Sequence, residues 1–114
     1  METYPIKKEN TLKLNIIHRN CEPTQAIDEA IRDKASKIKE HFPDQIEVSW
    51  TCQVEPEYQE SKVMVHHHKQ YFYAHAQDNC FYKTIDQAYK KIERQIREFN
   101  HKHKKLETRH AVAR

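Results

Sequence analysis

Residues 45–54, Gln-Ile-Glu-Val-Ser-Trp-Thr-Cys-Gln-Val, alternate polar and apolar side chains without a break. In a strand, successive side chains point to opposite faces, so Ile46, Val48 and Trp50 would share one face. The polar residues between them would share the other face. This stretch predicts a strand with one buried face, and further apolar elements must cover that face.

Three other segments show the same two-residue period. Residues 11–18 place three apolar side chains on one side, which predicts a first strand. Residues 62–68 and 70–77 predict the two strands of a hairpin. Their connection is His68-Lys69-Gln70. Tight two-residue hairpin turns favour Gly and Asn, and this connection contains neither, so we expect a looser turn.

A first helix is predicted between the first strand and residues 45–54. Thr24 is a favourable N-cap, the helical period starts at Gln25, and Pro43-Asp44 ends it. The apolar residues recur at three- and four-residue steps, as in an amphipathic helix. They are Ile27, Ile31, Ala35, Ile38 and Phe42.

A second, longer helix is predicted after the hairpin. We expect Asp78 or Asn79 to cap it and an apolar stripe to run from Phe81 onwards. The stripe predicts an end near His103. Residues 106–114 carry no apolar stripe and are expected to form a flexible basic tail.

These elements give the order β-α-β-β-β-α. A β-α-β unit predicts a parallel strand pair with a right-handed crossover, and the last three strands predict an antiparallel meander. The apolar faces of both helices and of the sheet must meet. We therefore expect a single α+β domain over residues 1–105, with a four-stranded mixed sheet and both helices on one face.

Composition excludes several classes of function. The 114 residues contain no glycine, so the P-loop, the G-x-G-x-x-G dinucleotide motif and the G-x-S-x-G nucleophile elbow are absent. Cys21, Cys52 and Cys80 are far apart and odd in number, which favours reduced thiols over a disulfide framework or a zinc knuckle. No positioned histidine accompanies them, so we expect neither an enzyme nor a cofactor.

Charge is distributed unevenly along the chain. The net charge is +3, but residues 1–82 sum to −3 and residues 83–114 to +6. A basic C-terminal third predicts a polyanion-binding surface, although a solvated helix face is the alternative. There is no apolar run of membrane-spanning length and no signal peptide, so we expect a cytoplasmic protein.

The basic residues of the second helix form the strongest candidate site. Helical spacing places most of them on one outward stripe, and two lysines of the first helix lie one turn apart. Lysine and arginine on neighbouring helices suit a phosphate backbone. The helix-two residues are Lys83, Lys90, Lys91, Arg94, Arg97, His101, Lys102 and Lys104, and helix one adds Lys34 and Lys37.

The hairpin carries two weaker candidates on its predicted outward face. His66, His68 and His75 could together bind zinc or copper, but no carboxylate is placed near them by the sequence pattern, and we expect no metal. Tyr71 and Tyr73 could stack single-stranded bases. The alternative is that these tyrosines have no role in binding, because tyrosine is common in strands in general.

The chain resembles the bacterial ribosome hibernation-promoting factors and ribosome-associated translation inhibitors, also called sigma-54 modulation proteins. The likeness covers about residues 12–105 and rests on the order and spacing of several short pieces. They are Leu14-Asn15-Ile16, Pro23-Thr24, Lys34-x-x-Lys37-Ile38 leading to Phe42, Phe81-Tyr82-x-x-Ile85-Asp86, and Lys91-Ile92-x-Arg94-Gln95-Ile96.

The resemblance implies a non-enzymatic stress or stationary-phase factor. It implies binding in the cleft of the small ribosomal subunit, across the tRNA and mRNA sites, with inhibition of translation. The implied partners are this subunit and its ribosomal RNA, with no membrane and no small-molecule substrate. The contacts that carry over are Lys34, Lys37, Lys91, Arg94 and Lys102, with Tyr82 and Gln95 as weaker candidates.

A different class of function stays open at this point. The outward sheet face, with Tyr71, Tyr73 and its histidines, could instead bind a protein and modulate a transcription factor. A ribosome-binding factor needs the helix lysines, whereas such an interaction module needs the sheet face.

Overall fold

The computed structural model describes the backbone of residues 11–113 and the side chains of residues 11–102. Six elements follow one another in the order predicted from the sequence. They are β1 (Leu12–Arg19), α1 (Gln25–Lys39), β2 (Ile46–Val54), β3 (Gln59–His67), β4 (Gln70–Asp78) and α2 (Phe81–Ala113).

The four strands form one mixed sheet in the order β1-β2-β3-β4. β1 runs parallel to β2, with Leu14 opposite Val48, and the other two pairs are antiparallel. The predicted α+β fold class is therefore confirmed.

One apolar core joins the sheet to both helices. Val48 and Trp50 of β2 are fully buried, and they belong to the same cluster as Ile31 of α1 and Ile92 of α2. Burying a side chain of this size contributes about 1.5–3 kcal/mol. Both amphipathic helices thus cover the same face of the sheet, and its other face is left uncovered by them.

The start of α1 follows its sequence signal. Thr24 has an extended backbone, and its Oγ1 accepts a hydrogen bond from the backbone N–H of Ile27 at 3.2 Å. Such a cap contributes about 1 kcal/mol. The helix ends at Lys39, four residues before Pro43.

The β3–β4 turn is tighter than predicted. β3 begins at Gln59, and His67 pairs with Gln70, so only His68 and Lys69 form the loop. His68 adopts φ 54°, a region that histidine occupies more often than most non-glycine residues. The expectation of a looser turn is wrong because contacts from a distant residue, Asp44, stabilise this conformation.

Both ends of α2 differ from the prediction. The helix begins at Phe81, so the N-cap position is occupied by Cys80 and not by Asp78 or Asn79. The carboxylate of Asp78 instead accepts hydrogen bonds from the backbone N–H of Asn79 and from the side chain of Gln87. The helix passes the predicted end at His103 and continues to Ala113. The flexibility of residues 106–114 stays a prediction, since their side chains lie outside the described residues.

A buried polar contact fixes the first turn of α2 on the sheet. The Thr84 hydroxyl donates to the Phe81 carbonyl at 2.7 Å and lies 2.9 Å from the Ser61 hydroxyl, which must then be the donor to Thr84. Both residues are fully buried. Within the part of the chain that the structure describes, no helix is both long and apolar enough to span a membrane.

Candidate nucleic-acid interface

One flank of α2 lies along the open edge of β4. The Gln95 side chain accepts a hydrogen bond from the Tyr73 backbone N–H at 3.3 Å and donates one to the Tyr73 carbonyl at 2.7 Å. Lys91 Nζ donates to the His75 carbonyl at 2.8 Å. These contacts satisfy backbone groups of an edge strand, which would otherwise be open to pairing with another chain.

The other flank of α2 faces α1. Lys34 Nζ lies 3.4 Å from an oxygen of Asp86 and 5.1 Å from the centre of the Tyr89 ring. Lys90 Nζ lies 3.2 Å from the second Asp86 oxygen. The bond from Lys90, and then that from Lys34, hold the pKa of the Asp86 carboxyl below its ordinary value despite some burial.

Between the flanks, three cations converge on the outward surface. Lys90, Lys91 and Arg94 line one shallow depression of about 300 Å³, and all three are exposed. The guanidinium of Arg94 has no hydrogen-bond or ion-pair partner among the side chains that the structure describes. We call these three residues the cation cluster.

Two further cations are held by neighbouring carboxylates. Arg97 lies 3.0 Å from Glu93, and Lys37 lies 3.6 Å from Asp33, both one helical turn apart. Arg97 is the main reason why the pKa of Glu93 is lowered. Exposed pairs of this kind contribute only about 0.3–0.5 kcal/mol, so an incoming phosphate could compete for either cation.

The remaining predicted contacts lie beside the cluster. Tyr82 is half exposed at the start of α2, and Lys102 is exposed near the end of the described side chains. Lys104 lies in α2, but its side chain is outside the described residues.

The side-chain chemistry of the cluster suits phosphate groups. Lys90 also pairs with Asp86, and Lys91 donates to the His75 carbonyl. An ammonium group has three N–H donors, so both lysines keep donors for a phosphate beside Arg94, which is unpaired among the described side chains. Arginine offers a planar fork for a phosphate, and lysine a mobile point charge. The arrangement can therefore bind a phosphodiester backbone without reading its sequence.

Sequence comparison decides the family. The family described as Sigma 54 modulation protein / S30EA ribosomal protein matches residues 14–104 of this chain. The chain belongs to this family. A search of curated proteins gave no match.

Solved structures show the same fold. The N-terminal domain of Protein Y from Thermus thermophilus superposes with a TM-score of 0.72 at 19% identity, covering 78% of this chain and 99% of that domain. A ribosomal subunit interface protein from Coxiella burnetii gives a TM-score of 0.66 at 15% identity, covering 79% of this chain and 98% of that one. At these identities the likeness establishes the fold alone.

Family membership confirms the resemblance seen in the sequence. The family is one of ribosome-associated proteins, and it is not generally enzymatic. The RNA contacts predicted for individual residues between Lys34 and Lys104 stay predictions.

The family-based contacts separate into two groups in this structure. Lys91, Arg94 and Lys102 are exposed on α2. Lys34 instead exposes only 20% of its side chain. The amide of Gln95 already makes two hydrogen bonds to the edge strand, which leaves it one N–H donor and one acceptor lone pair for RNA.

The histidines predicted to share one face do not come together. His66 stacks on Tyr71 with ring centres 4.2 Å apart, and His75 lies 3.2 Å from the buried carboxylate of Glu60. His68 belongs to the turn and contacts Asp44. The fold therefore does not assemble His66, His68 and His75 into the metal site that the sequence pattern left possible.

Sequence reasoning missed a different trio. Asp44, in the α1–β2 connection, contacts His67 and His68 at the end of β3. The antiparallel pairing of Glu47 with His66 brings these segments together. A register drawn from the two predicted strands could have found the contact, since the residues before β2 must lie beside those after β3.

The three cysteines are free thiols, as predicted. Cys52 is buried in the core, and burial raises the pKa of its thiol to about 12. Burial likewise raises the pKa of Cys21. Neither thiol is therefore activated as a nucleophile, which requires a lowered pKa.

Proposed function

We propose that this chain is a ribosome-binding stress or stationary-phase factor. It occupies the decoding cleft of the small subunit, across the tRNA and mRNA sites, and thereby inhibits translation and promotes ribosome hibernation. It acts in the cytoplasm, without catalysis and without a cofactor. The observation that supports this most is the cation cluster on a fold of the S30EA family.

The proposed mechanism is competition for space. Phosphates of the ribosomal RNA dock on Lys90, Lys91 and Arg94, and Lys102 extends the contact along α2. Each neutralised phosphate releases counterions, which adds affinity without any base-specific contact. The rigid domain positioned in this way excludes the tRNA and messenger that need the same cleft.

A neutralised variant of the cluster tests this proposal. Lys90→Gln with Arg94→Gln removes two exposed cations and leaves the apolar core intact. A hydrogen bond to a charged group contributes about 1.5–3 kcal/mol, so small-subunit affinity should fall at least about a hundredfold at low salt. Sucrose-gradient sedimentation with purified subunits measures binding, and a cell-free translation reaction measures inhibition.

Lys13→Gln with Lys69→Gln is the matched control. Both lysines are exposed, on β1 and in the β3–β4 turn, so the net charge changes equally but the cluster is untouched. We expect this variant to bind and inhibit like the wild type. Equal losses in both variants would mean that only overall charge matters, and full activity of the cluster variant would exclude the proposed docking face.

One observation favours a second candidate function. Met64, Tyr71 and Tyr73 expose 42%, 63% and 47% of their surface on the outward sheet face, and Met64 lies opposite Tyr73. An exposed aromatic patch suits a protein partner, such as a transcription factor that this chain would modulate. Tyr73→Ala with His75→Ala should leave translation inhibition unchanged under our proposal, whereas loss of inhibition in this variant alone would favour the sheet face.

A further inference from the structure

The β3–β4 turn holds a compact group of metal-ligating side chains. The Nε2 atoms of His67 and His68 each lie 2.6 Å from a different oxygen of Asp44. The potential ligand atoms of the three residues all lie within 4.8 Å of one another. It is the one such group among the side chains of residues 11–102.

Neighbouring contacts hold the three ligands in place. The centre of the His67 ring lies 4.6 Å from that of Phe42 and 4.2 Å from that of His68. His68 adopts the left-handed conformation that turns its ring towards Asp44. Ligands that are already oriented lose less conformational freedom when they bind.

The donor set suits a divalent transition metal. Two imidazoles and one carboxylate are ligands of zinc, and in zinc sites with three protein ligands a water occupies the fourth position. Asp44 exposes 37% of its side chain and His68 exposes 68%, so water can reach this position. Magnesium and calcium prefer oxygen ligands and fit the two imidazoles poorly.

The distances between the histidine nitrogens and the Asp44 oxygens are compatible with a metal ion in place of the protons that now link them. Zinc–ligand distances of about 2.0–2.1 Å in a tetrahedron place neighbouring ligand atoms about 3.3 Å apart. The 2.6 Å distance from one histidine nitrogen to the ligating Asp44 oxygen would then open by about 0.7 Å, and the ligand atoms of all three residues already lie within 4.8 Å of one another. Such a movement is within the reach of side-chain rotation at an exposed turn.

We propose that Asp44, His67 and His68 form a binding site for a divalent transition metal of the zinc class. The site lies outside the apolar core, so folding does not require the metal. Binding clamps the α1–β2 connection to the β3–β4 turn and adds stability by mass action. This inference does not rest on ribosome binding.

Zinc titration of the full chain, followed by calorimetry, tests the site. We expect one zinc ion per chain, and a loss of affinity of at least tenfold in Asp44→Asn and in His68→Asn. Asparagine tolerates φ > 0, so His68→Asn removes the imidazole without opposing the turn. Zinc should raise the melting temperature of the wild type and leave that of either variant nearly unchanged.

His66→Gln with His75→Gln is the control, because both histidines lie on the outward sheet face. We expect this variant to bind zinc within threefold of the wild type. Cobalt in place of zinc should give visible bands without the charge-transfer band of a thiolate ligand, since no cysteine belongs to the site. The proposal is overturned if the wild type shows no saturable 1:1 binding, if Asp44→Asn and His68→Asn bind zinc like the wild type, or if the control abolishes binding.

Discussion

Lys34 of α1 and Arg94 of α2 look alike in the sequence but differ in the structure. Lys34 is folded onto Asp86 and the Tyr89 ring, whereas Arg94 is exposed without a partner among the described side chains. A cation that is held by a carboxylate and covered by neighbouring side chains offers less charge and fewer free donors to a phosphate. The position of a lysine or arginine in the sequence therefore does not show how well it can bind a phosphate, because contacts within the fold can hold and cover its charged group.

The largest expected effect separates these two residues. Arg94→Gln should lower small-subunit affinity about tenfold and reduce the slope of log affinity against log salt by about one. Lys34→Met keeps the apolar stem of the side chain, and should leave both quantities unchanged. Binding titrations at several salt concentrations measure the slopes.

Urea unfolding measures the stability of the same two variants, and here we expect the larger effect from Lys34→Met. Lys34→Met removes an inter-helix ion pair and a cation–π contact, so we expect a loss of about 1 kcal/mol of unfolding free energy. Arg94→Gln should change the stability by less than about 0.5 kcal/mol. If Lys34→Met weakened binding as strongly as Arg94→Gln, the distinction between these two residues would be wrong.

The salt response of the wild type limits the number of contacts. With four phosphates engaged by the cluster and Lys102, and a slope of about −0.9 for each, a fourfold rise in salt should lower the affinity roughly 150-fold.

Gln95 sharpens the same comparison within α2. The resemblance makes it a candidate RNA contact, but its amide is paired with both backbone groups of Tyr73. Gln95→Glu keeps the acceptor and loses the donor, which leaves a carboxylate against the Tyr73 carbonyl. We expect a loss of about 1 kcal/mol in urea unfolding, with ribosome affinity nearly unchanged.

Gln70→Glu introduces the same charge change at an exposed position of the same strand. Gln70→Glu should leave the unfolding free energy nearly unchanged. Any larger loss in Gln95→Glu then comes from the contact between Gln95 and the edge strand. A Gln95→Glu variant of full stability that binds ribosomes poorly would return Gln95 to the RNA interface.

The sequence predicted most of the fold because the signals are local. The two-residue period of residues 45–54 and the cap at Thr24 act within one element, and both are seen in the structure. Four strands and two amphipathic helices of this order leave few ways to bury their apolar faces together. Sheet order and helix placement then follow from the pattern.

The structure adds to or departs from these expectations where distant residues decide the local environment. The tight turn at His68 depends on Asp44, which is 24 residues away in the sequence. The pairing of Lys34 depends on Asp86 of the other helix. Spacing rules describe neighbours along one element, so they placed Lys34 and Arg94 in one class of residue.

The smallest expected effect concerns the acid stability of the contact between the helices. Both lysines beside Asp86 favour its charged form, and its pKa in the folded state lies below the ordinary value of 3.8. A carboxyl with a lowered folded-state pKa adds stability above its unfolded pKa and loses it as the pH falls through the folded value. Asp86→Asn should therefore be less stable than the wild type at pH 7, by under about 1 kcal/mol for a half-exposed group.

This gap in unfolding free energy between Asp86→Asn and the wild type should narrow as the pH falls below about 4, and it should close once the pH lies below the folded-state pKa of Asp86. Asp33→Asn is the control, since Asp33 pairs with the exposed Lys37 within α1 alone. We expect it to show a smaller gap at pH 7. Urea unfolding at pH 7 and at acid pH measures both gaps. A gap for Asp86→Asn that persisted at low pH would mean that Asp86 acts through its shape, and that its charge does not hold Lys34 in place.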